Sequence, residues 1–129
     1  MSVRISELAN RLLLGDTLED KLFRPDSIID EPSSPLLSAP PAPGRPQEAA
    51  WSKNRLAFPN AKQIEDPKER GRALLFFANH ELLAIELMAL CLLRFPSAPS
   101  RFRRGLVNTI YEEQDHFKAY RDRAFELGV

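Results

Sequence analysis

Residues 66–128 read DPKERGRALLFFANHELLAIELMALCLLRFPSAPSRFRRGLVNTIYEEQDHFKAYRDRAFELG, and this stretch decides the fold class. It opens with a helix start. Asp66 suits the N-cap, Pro67 the first helical position, and Glu69 can reach back to the cap. Neither proline nor glycine interrupts residues 72–95, so we predict one long helix there.

A second helical pattern follows the first after a short break. The break is PSAPS at residues 96–100, and the pattern continues over residues 101–127. At 1.5 Å per residue each helix is roughly 40 Å long. A short break between two long helices predicts an antiparallel helix hairpin. Because no strand pattern is found, the predicted fold class is all-α.

The region before the hairpin divides into helical and proline-rich parts. Apolar residues at helical spacing predict a short amphipathic helix over residues 4–14, and a further turn covers residues 18–22. Seven of the 11 prolines lie between Pro25 and Pro46, which favours an extended linker or strap. A docking site for a protein that binds proline motifs is the alternative, and Trp51 is predicted to anchor the segment. The predicted organisation is short N-terminal helices in 1–24, a proline-rich linker or strap in 25–55, and the hairpin in 56–129.

Composition gives only weak indications of partners and location. The 18 basic residues balance the 18 acidic ones, so no overall charge favours nucleic acid or an anionic membrane. Cys91 is the only cysteine, which is typical of a reducing compartment. The N-terminus has no signal-peptide pattern, and the longest apolar run, residues 82–93, is short for a membrane span. We expect a cytoplasmic protein without a membrane partner.

Polar side chains inside the apolar first helix are the candidate functional residues. A lone buried carboxylate is costly unless it is paired or bound to a metal. The second helix carries Glu113 and His116, which are three residues apart and so share one face. A surface ion pair or a capped core histidine has the same spacing, so this motif alone is weak. The polar residues of the first helix are Asn79, His80, Glu81 and Glu86.

The hairpin register strengthens the prediction of a metal site. Residues that face each other lie equally far from the loop centre at Ala98. Glu81 lies 17 residues before it, and Glu113 and His116 lie 15 and 18 after it, so the three share one level. Glu86 is nearer the loop. Two carboxylates and an imidazole suit iron or manganese, and zinc remains an alternative. The predicted inward stripe of the second helix is Phe102, Leu106, Thr109, Glu113, His116 and Tyr120.

The motifs HELLAIEL at residues 80–87 and EEQDHF at residues 112–117 carry a resemblance. Together they resemble an uncharacterised bacterial family of ferritin-like proteins, domain of unknown function 455, most closely over residues 55–129. The resemblance implies a four-helix ferritin-like bundle, distantly related to tRNA-hydroxylating di-iron enzymes. The residues that match the family's first metal half-site are Glu81, Glu113 and His116, with His80 and Glu86 in the same motif.

The sequence departs from that family in one respect. The resemblance implies a second Glu helix and a second Glu-x-x-His helix, but this sequence has only two histidines and ends at Val129. We therefore expect half of a ferritin-like bundle, either truncated or completed by a second copy in a homodimer. The expected cofactor is iron, as two ions if the site is completed, with manganese possible.

Two functions from different classes remain open. The first is a di-iron carboxylate protein acting as a metal-dependent oxidoreductase or hydroxylase. The second is a non-catalytic helical interaction module, or a truncated remnant without a complete metal site. The first long helix is apolar on nearly every side, which is typical of a helix surrounded by protein. The sequence identifies neither a substrate nor a catalytic residue.

Overall fold

The computed structural model describes residues 1–49 and 57–129. This part of the chain is mostly helical and is dominated by one pair of long helices, which confirms the coarse fold prediction. Two short 3-10 turns, Gln47–Ala49 and Gln63–Glu65, precede that pair. The strands and helices, in chain order, are β1 (Ser2–Arg4), α1 (Ile5–Leu14), α2 (Leu18–Lys21), β2 (Ser27–Ile29), α3 (Pro67–Arg94) and α4 (Ser100–Glu126).

The start of α3 follows the predicted cap chemistry with one difference. The Asp66 side chain accepts a hydrogen bond from the Lys68 backbone amide at 3.0 Å, and Pro67 occupies the first turn. Glu69 does not reach back to the cap; its carboxylate pairs with Arg72 at 3.1 Å. The chain reverses after α3 and returns as α4, which packs along it. The predicted helix hairpin is therefore confirmed.

The core lies where α1 packs against α3 and α3 packs against α4. The predicted inward stripe of α4 is wrong in part. Phe102, Thr109 and His116 are exposed, whereas Leu106, Glu113 and Tyr120 are half-buried. The segment that follows α2 contacts α4, since Arg24 donates to the Tyr111 carbonyl oxygen and Gln114 donates to the Phe23 carbonyl oxygen. The stripe of α4 beside the predicted one therefore faces the core. The buried residues of α4 are Val107, Ile110, Gln114, Phe117 and Ala124.

The prediction that the chain contains no strand is also wrong. The strands β1 and β2 form a two-stranded parallel pair, in which Val3 is opposite Ile28. Each strand has three residues, and a stretch of that length is too short to show an alternating pattern. The pair places the N-terminus beside the segment that follows α2.

The proline-rich segment runs extended across α1 and α3. The Leu36 amide donates to the Leu93 carbonyl oxygen at 2.9 Å, and the Gly44 amide donates to the Leu13 carbonyl oxygen at 2.9 Å. A Cβ atom at Gly44 would lie 2.1 Å from the Leu14 carbonyl oxygen, so only glycine permits this close approach. The predicted anchor Trp51 lies outside the described residues.

Helix α3 presents apolar surface that the described chain does not cover. Its length and composition would allow it to cross a membrane, but only 28% of its most apolar stretch is buried in this structure. Core helices of globular proteins pass the same test, so this property is weak evidence for a membrane span. The low burial does show that another chain segment or protein could pack against α3.

Candidate metal centre

Three side chains from α3 and α4 converge about halfway along the two helices. The Nδ1 atom of His116 lies 3.7 Å from Oε1 of Glu113 and 3.9 Å from Oε2 of Glu81. One ligand atom from each of the three residues lies within 4.8 Å of the others. The structure thus brings together the residues that the hairpin register places at one level.

The centre lies at the edge of the helix pair, where solvent reaches it. The side chains of Glu81 and Glu113 are 20% and 19% exposed, and that of His116 is 56% exposed. In the described part of the chain, neither carboxylate pairs with lysine or arginine, and the nearest basic group to both is the His116 imidazole. Two largely buried carboxylates without a permanent cation attract a positive ion.

The spacing from His116 to each of the two carboxylates fits ligands of a single metal ion. Carboxylate oxygen and imidazole nitrogen bind transition metals at about 2.0 to 2.2 Å, so two ligands of one ion lie about 3 to 4.4 Å apart. The distances from His116 to Glu113 and to Glu81 fall inside that range. A donor set of oxygen and nitrogen without thiolate suits iron, manganese or zinc. These residues can therefore hold a divalent cation.

Aromatic side chains border the centre on one side. The rings of Phe77 and Tyr120 lie 5.8 Å apart and bridge α3 and α4. His80, a less certain ligand in the sequence analysis, is exposed, and its ring packs against Phe76 at 4.5 Å. His80 does not belong to the converging ligand group.

The other less certain ligand, Glu86, lies away from the centre on another side of α3. Its side chain is 2% exposed and is enclosed by two cations. Lys21 Nζ lies 2.9 Å from Oε2, and Arg45 Nε donates to the same oxygen at 2.6 Å while Nη2 donates to Oε1. The structure therefore places Glu86 in a buried ion cluster and not beside Glu113 and His116.

Lys21 is completely buried and fully engaged in this ion cluster. Its Nζ atom also donates to the carbonyl oxygens of Leu12 at 2.8 Å and Leu13 at 3.0 Å. Burial lowers the pKa of Lys21, and the Glu86 carboxylate opposes that shift. Because three acceptors surround Nζ, the side chain is held as an ammonium group. It ties the end of α1 to α3.

Sequence reasoning missed Lys21, Arg45 and Gln114. Arg45 also donates to Oδ1 of Asn79 at 2.9 Å, so it joins the proline-rich segment to α3 at two points. The fully buried Gln114 donates to the carbonyl oxygens of Lys21 at 3.2 Å and Phe23 at 3.0 Å. The one available signal was Glu86 itself, because a carboxylate in an apolar helix requires a partner.

Comparison with known proteins identifies a family but no function. The family described as "Protein of unknown function (DUF455)" matches residues 7–129. No curated protein matches the chain. No solved structure matches it either. The prediction that the chain belongs to domain of unknown function 455 is confirmed, and the match extends into the N-terminal region.

Proposed function

This chain belongs to DUF455, a family of proteins of unknown function, and we propose that it is a metal-binding protein of the ferritin-like di-iron carboxylate type. In this proposal Glu81, Glu113 and His116 form half of the metal site. The observation that carries it is the convergence of their ligand atoms within 4.8 Å. The absence of a lysine or arginine partner for either carboxylate in the described residues adds support.

Each residue of the centre has a definite task in this proposal. Glu81 and Glu113 bind the cation and neutralise its charge, and His116 acts as a terminal nitrogen ligand. Bound iron or manganese supplies redox chemistry toward oxygen, which makes a metal-dependent oxidoreductase or hydroxylase the proposed activity. The 56% exposure of His116 leaves an approach for a small molecule from solvent. No substrate is assigned.

Metal titration of the anaerobically purified protein tests the proposal. We expect ferrous and manganous ions to bind, and Glu113→Gln and His116→Ala each to weaken binding at least about 10-fold. Glu112→Gln is the matched control, because it makes the same charge change at an exposed position next to Glu113. Negligible binding by the parent, or equal weakening in the control, would show that the three residues are not a metal site.

A non-catalytic helical module is the second candidate. The constellation of a di-iron bundle takes a Glu from two helices and a Glu-x-x-His from two more, and this centre has one of each. Oxygen consumption in the presence of ferrous ion separates the candidates. The oxidoreductase proposal requires faster consumption by the parent than by Glu113→Gln. Metal binding with equal rates would favour the module.

A further inference from the structure

The described chain leaves most of the surface around the metal centre uncovered, although the Phe58 ring packs against that of Phe77 at 5.7 Å. We call this surface the open face and define it by Phe77, His80 and Leu87 of α3 and Phe102, Thr109 and Tyr120 of α4. Phe77 is 40%, Leu87 65% and Phe102 50% exposed. Clustered exposed apolar residues of this kind usually mark an interface.

The pattern on α3 is that of a helix seam. Phe77, His80, Ala84, Leu87 and Cys91 recur at alternating spacings of three and four residues, and none of them is buried. That spacing is typical of positions that face a neighbouring helix. The seam is separate from the side of α3 that packs against α1, where Leu82, Glu86 and Leu93 are buried. A further helix is therefore the partner that the surface fits.

The helix α4 offers a matching surface. Gly105 lies on the same side of α4 as Thr109 and His116, at helical spacing, and a Cβ atom built on it would meet nothing within 4 Å. Glycine inside a helix costs about 1 kcal/mol relative to alanine, and packing within the described chain does not require it. A second helix that packs closely against the α4 backbone would require glycine at this position.

The metal centre lies at the middle of both long helices. Fourteen residues of α3 precede Glu81 and 13 follow it, while 13 residues of α4 lie on each side of Glu113. A two-fold axis through this point would overlap two hairpins along their full length and bring two centres face to face. The face is about 40 Å long and two helices wide, so each copy would bury about 800 Å², as in a typical stable interface.

The negative charge of the metal centre opposes the association of two copies unless it is neutralised. Each copy contributes the carboxylates of Glu81 and Glu113, for which the described chain supplies no lysine or arginine partner. Two facing centres would hold four negative charges in a largely buried space, which repel one another. Two divalent cations would balance them. This balance rests on the metal binding proposed above.

We propose that a second copy of this chain docks on the open face, and that divalent metal controls the docking. The two copies together supply two Glu81, two Glu113 and two His116 side chains. That set has the composition of a complete two-metal site in a four-helix bundle. The metal ions are bound by residues of both copies and so link the copies to each other.

Sedimentation velocity of the 129-residue chain in EDTA and in Mn²⁺ tests the docking. We expect Mn²⁺ to tighten dimerisation at least 10-fold. Leu87→Arg places a charge in the seam and should leave a folded monomer under both conditions. Leu37→Arg is the control, because Leu37 is 87% exposed in the proline-rich segment, away from the open face. Its dimerisation should match that of the parent, and circular dichroism should verify that both variants are folded.

Glu81→Gln gives a result that a general loss of structure would not produce. It removes two of the four facing negative charges, so we expect the dimer in EDTA to be tighter than that of the parent. Mn²⁺ should no longer strengthen it. A parent that binds Mn²⁺ and stays monomeric overturns the docking proposal and leaves the proposed function standing. A parent that dimerises equally in EDTA and Mn²⁺ without binding Mn²⁺ overturns the metal control and the proposed function together.

Discussion

Glu81 and Glu86 lie five residues apart on the same apolar helix, yet they have opposite surroundings. Glu86 is 2% exposed and is held by Lys21 and Arg45. Glu81 is 20% exposed, and its Oε2 atom lies 3.9 Å from the imidazole nitrogen Nδ1 of His116. The chain thus supplies its own cations to one glutamate and leaves the other available for a cation from outside. A glutamate in an apolar helix is therefore by itself no sign of a metal.

The N-terminal segment creates the difference. Lys21 comes from the end of α2 and Arg45 from the proline-rich strap, and both reach the side of α3 that α1 covers. In the described chain the other side is covered only near the start of α3, where the Phe58 ring packs against that of Phe76 at 5.2 Å. Phe76 and Leu83 remain 39% and 41% exposed. The chain itself thereby covers one side of α3, and in the described residues the other side stays largely exposed.

Removal of each carboxylate should give the largest difference between the two sites. Glu86→Ala leaves two cations buried without their partner, so we expect it to lower the free energy of unfolding by about 3 to 5 kcal/mol. Glu81→Ala, measured in EDTA, should change it by no more than about 0.5 kcal/mol, since no lysine or arginine of the described residues pairs with Glu81. Urea denaturation measures both. Equal losses would contradict the division of roles.

A smaller effect is expected from Arg45→Met, which separates the strap from α3. Glu86 keeps Lys21 as its partner, but it loses two charged hydrogen bonds, and Asn79 loses another. We expect Arg45→Met to lower the free energy of unfolding by about 1 to 3 kcal/mol, which is less than the effect of Glu86→Ala. Limited proteolysis should then cut residues 31–46 faster than in the parent. Unchanged cleavage would mean that the backbone hydrogen bonds of the strap suffice to hold it.

The smallest effect concerns acid and the attachment of β2 to α4. Hydrogen bonds from Ser100 and Arg103 lower the pKa of Asp30 below its ordinary value of 3.8. A carboxyl group with a lowered pKa stabilises the fold fully above pH 3.8, and this contribution is lost as the pH falls through the native pKa. Asp30→Asn should lower the free energy of unfolding by about 1 to 2 kcal/mol at pH 7.

The difference in the free energy of unfolding between Asp30→Asn and the parent should become smaller below pH 3.8. Urea denaturation at pH 7, 5 and 3 in EDTA measures it without a contribution from bound metal. A difference that stays constant down to pH 3 would show that ionisation of Asp30 does not hold this segment.

Much of the hairpin and its centre was predictable, because local spacing determines them. The cap at Asp66 and the break after α3 define both helices, and equal distance from the loop aligns Glu81 with Glu113 and His116. The packing face of α4 was not predictable in the same way. Gln114 stands between two acidic residues and looks like a surface position, but it is fully buried against the backbone of the segment after α2.

The sequence by itself determined where the long helices begin and end and which carboxylates share a level with His116, since periodicity, caps and register act between residues close along the chain. Only the tertiary structure decided that Glu86 pairs with Lys21 and Arg45, because those contacts join residues that are 65 and 41 positions apart in the sequence. Tertiary packing also decided which side of α3 stays open. A helix that is apolar all round carries no information about which neighbour covers which side, so the path of the strap settles it.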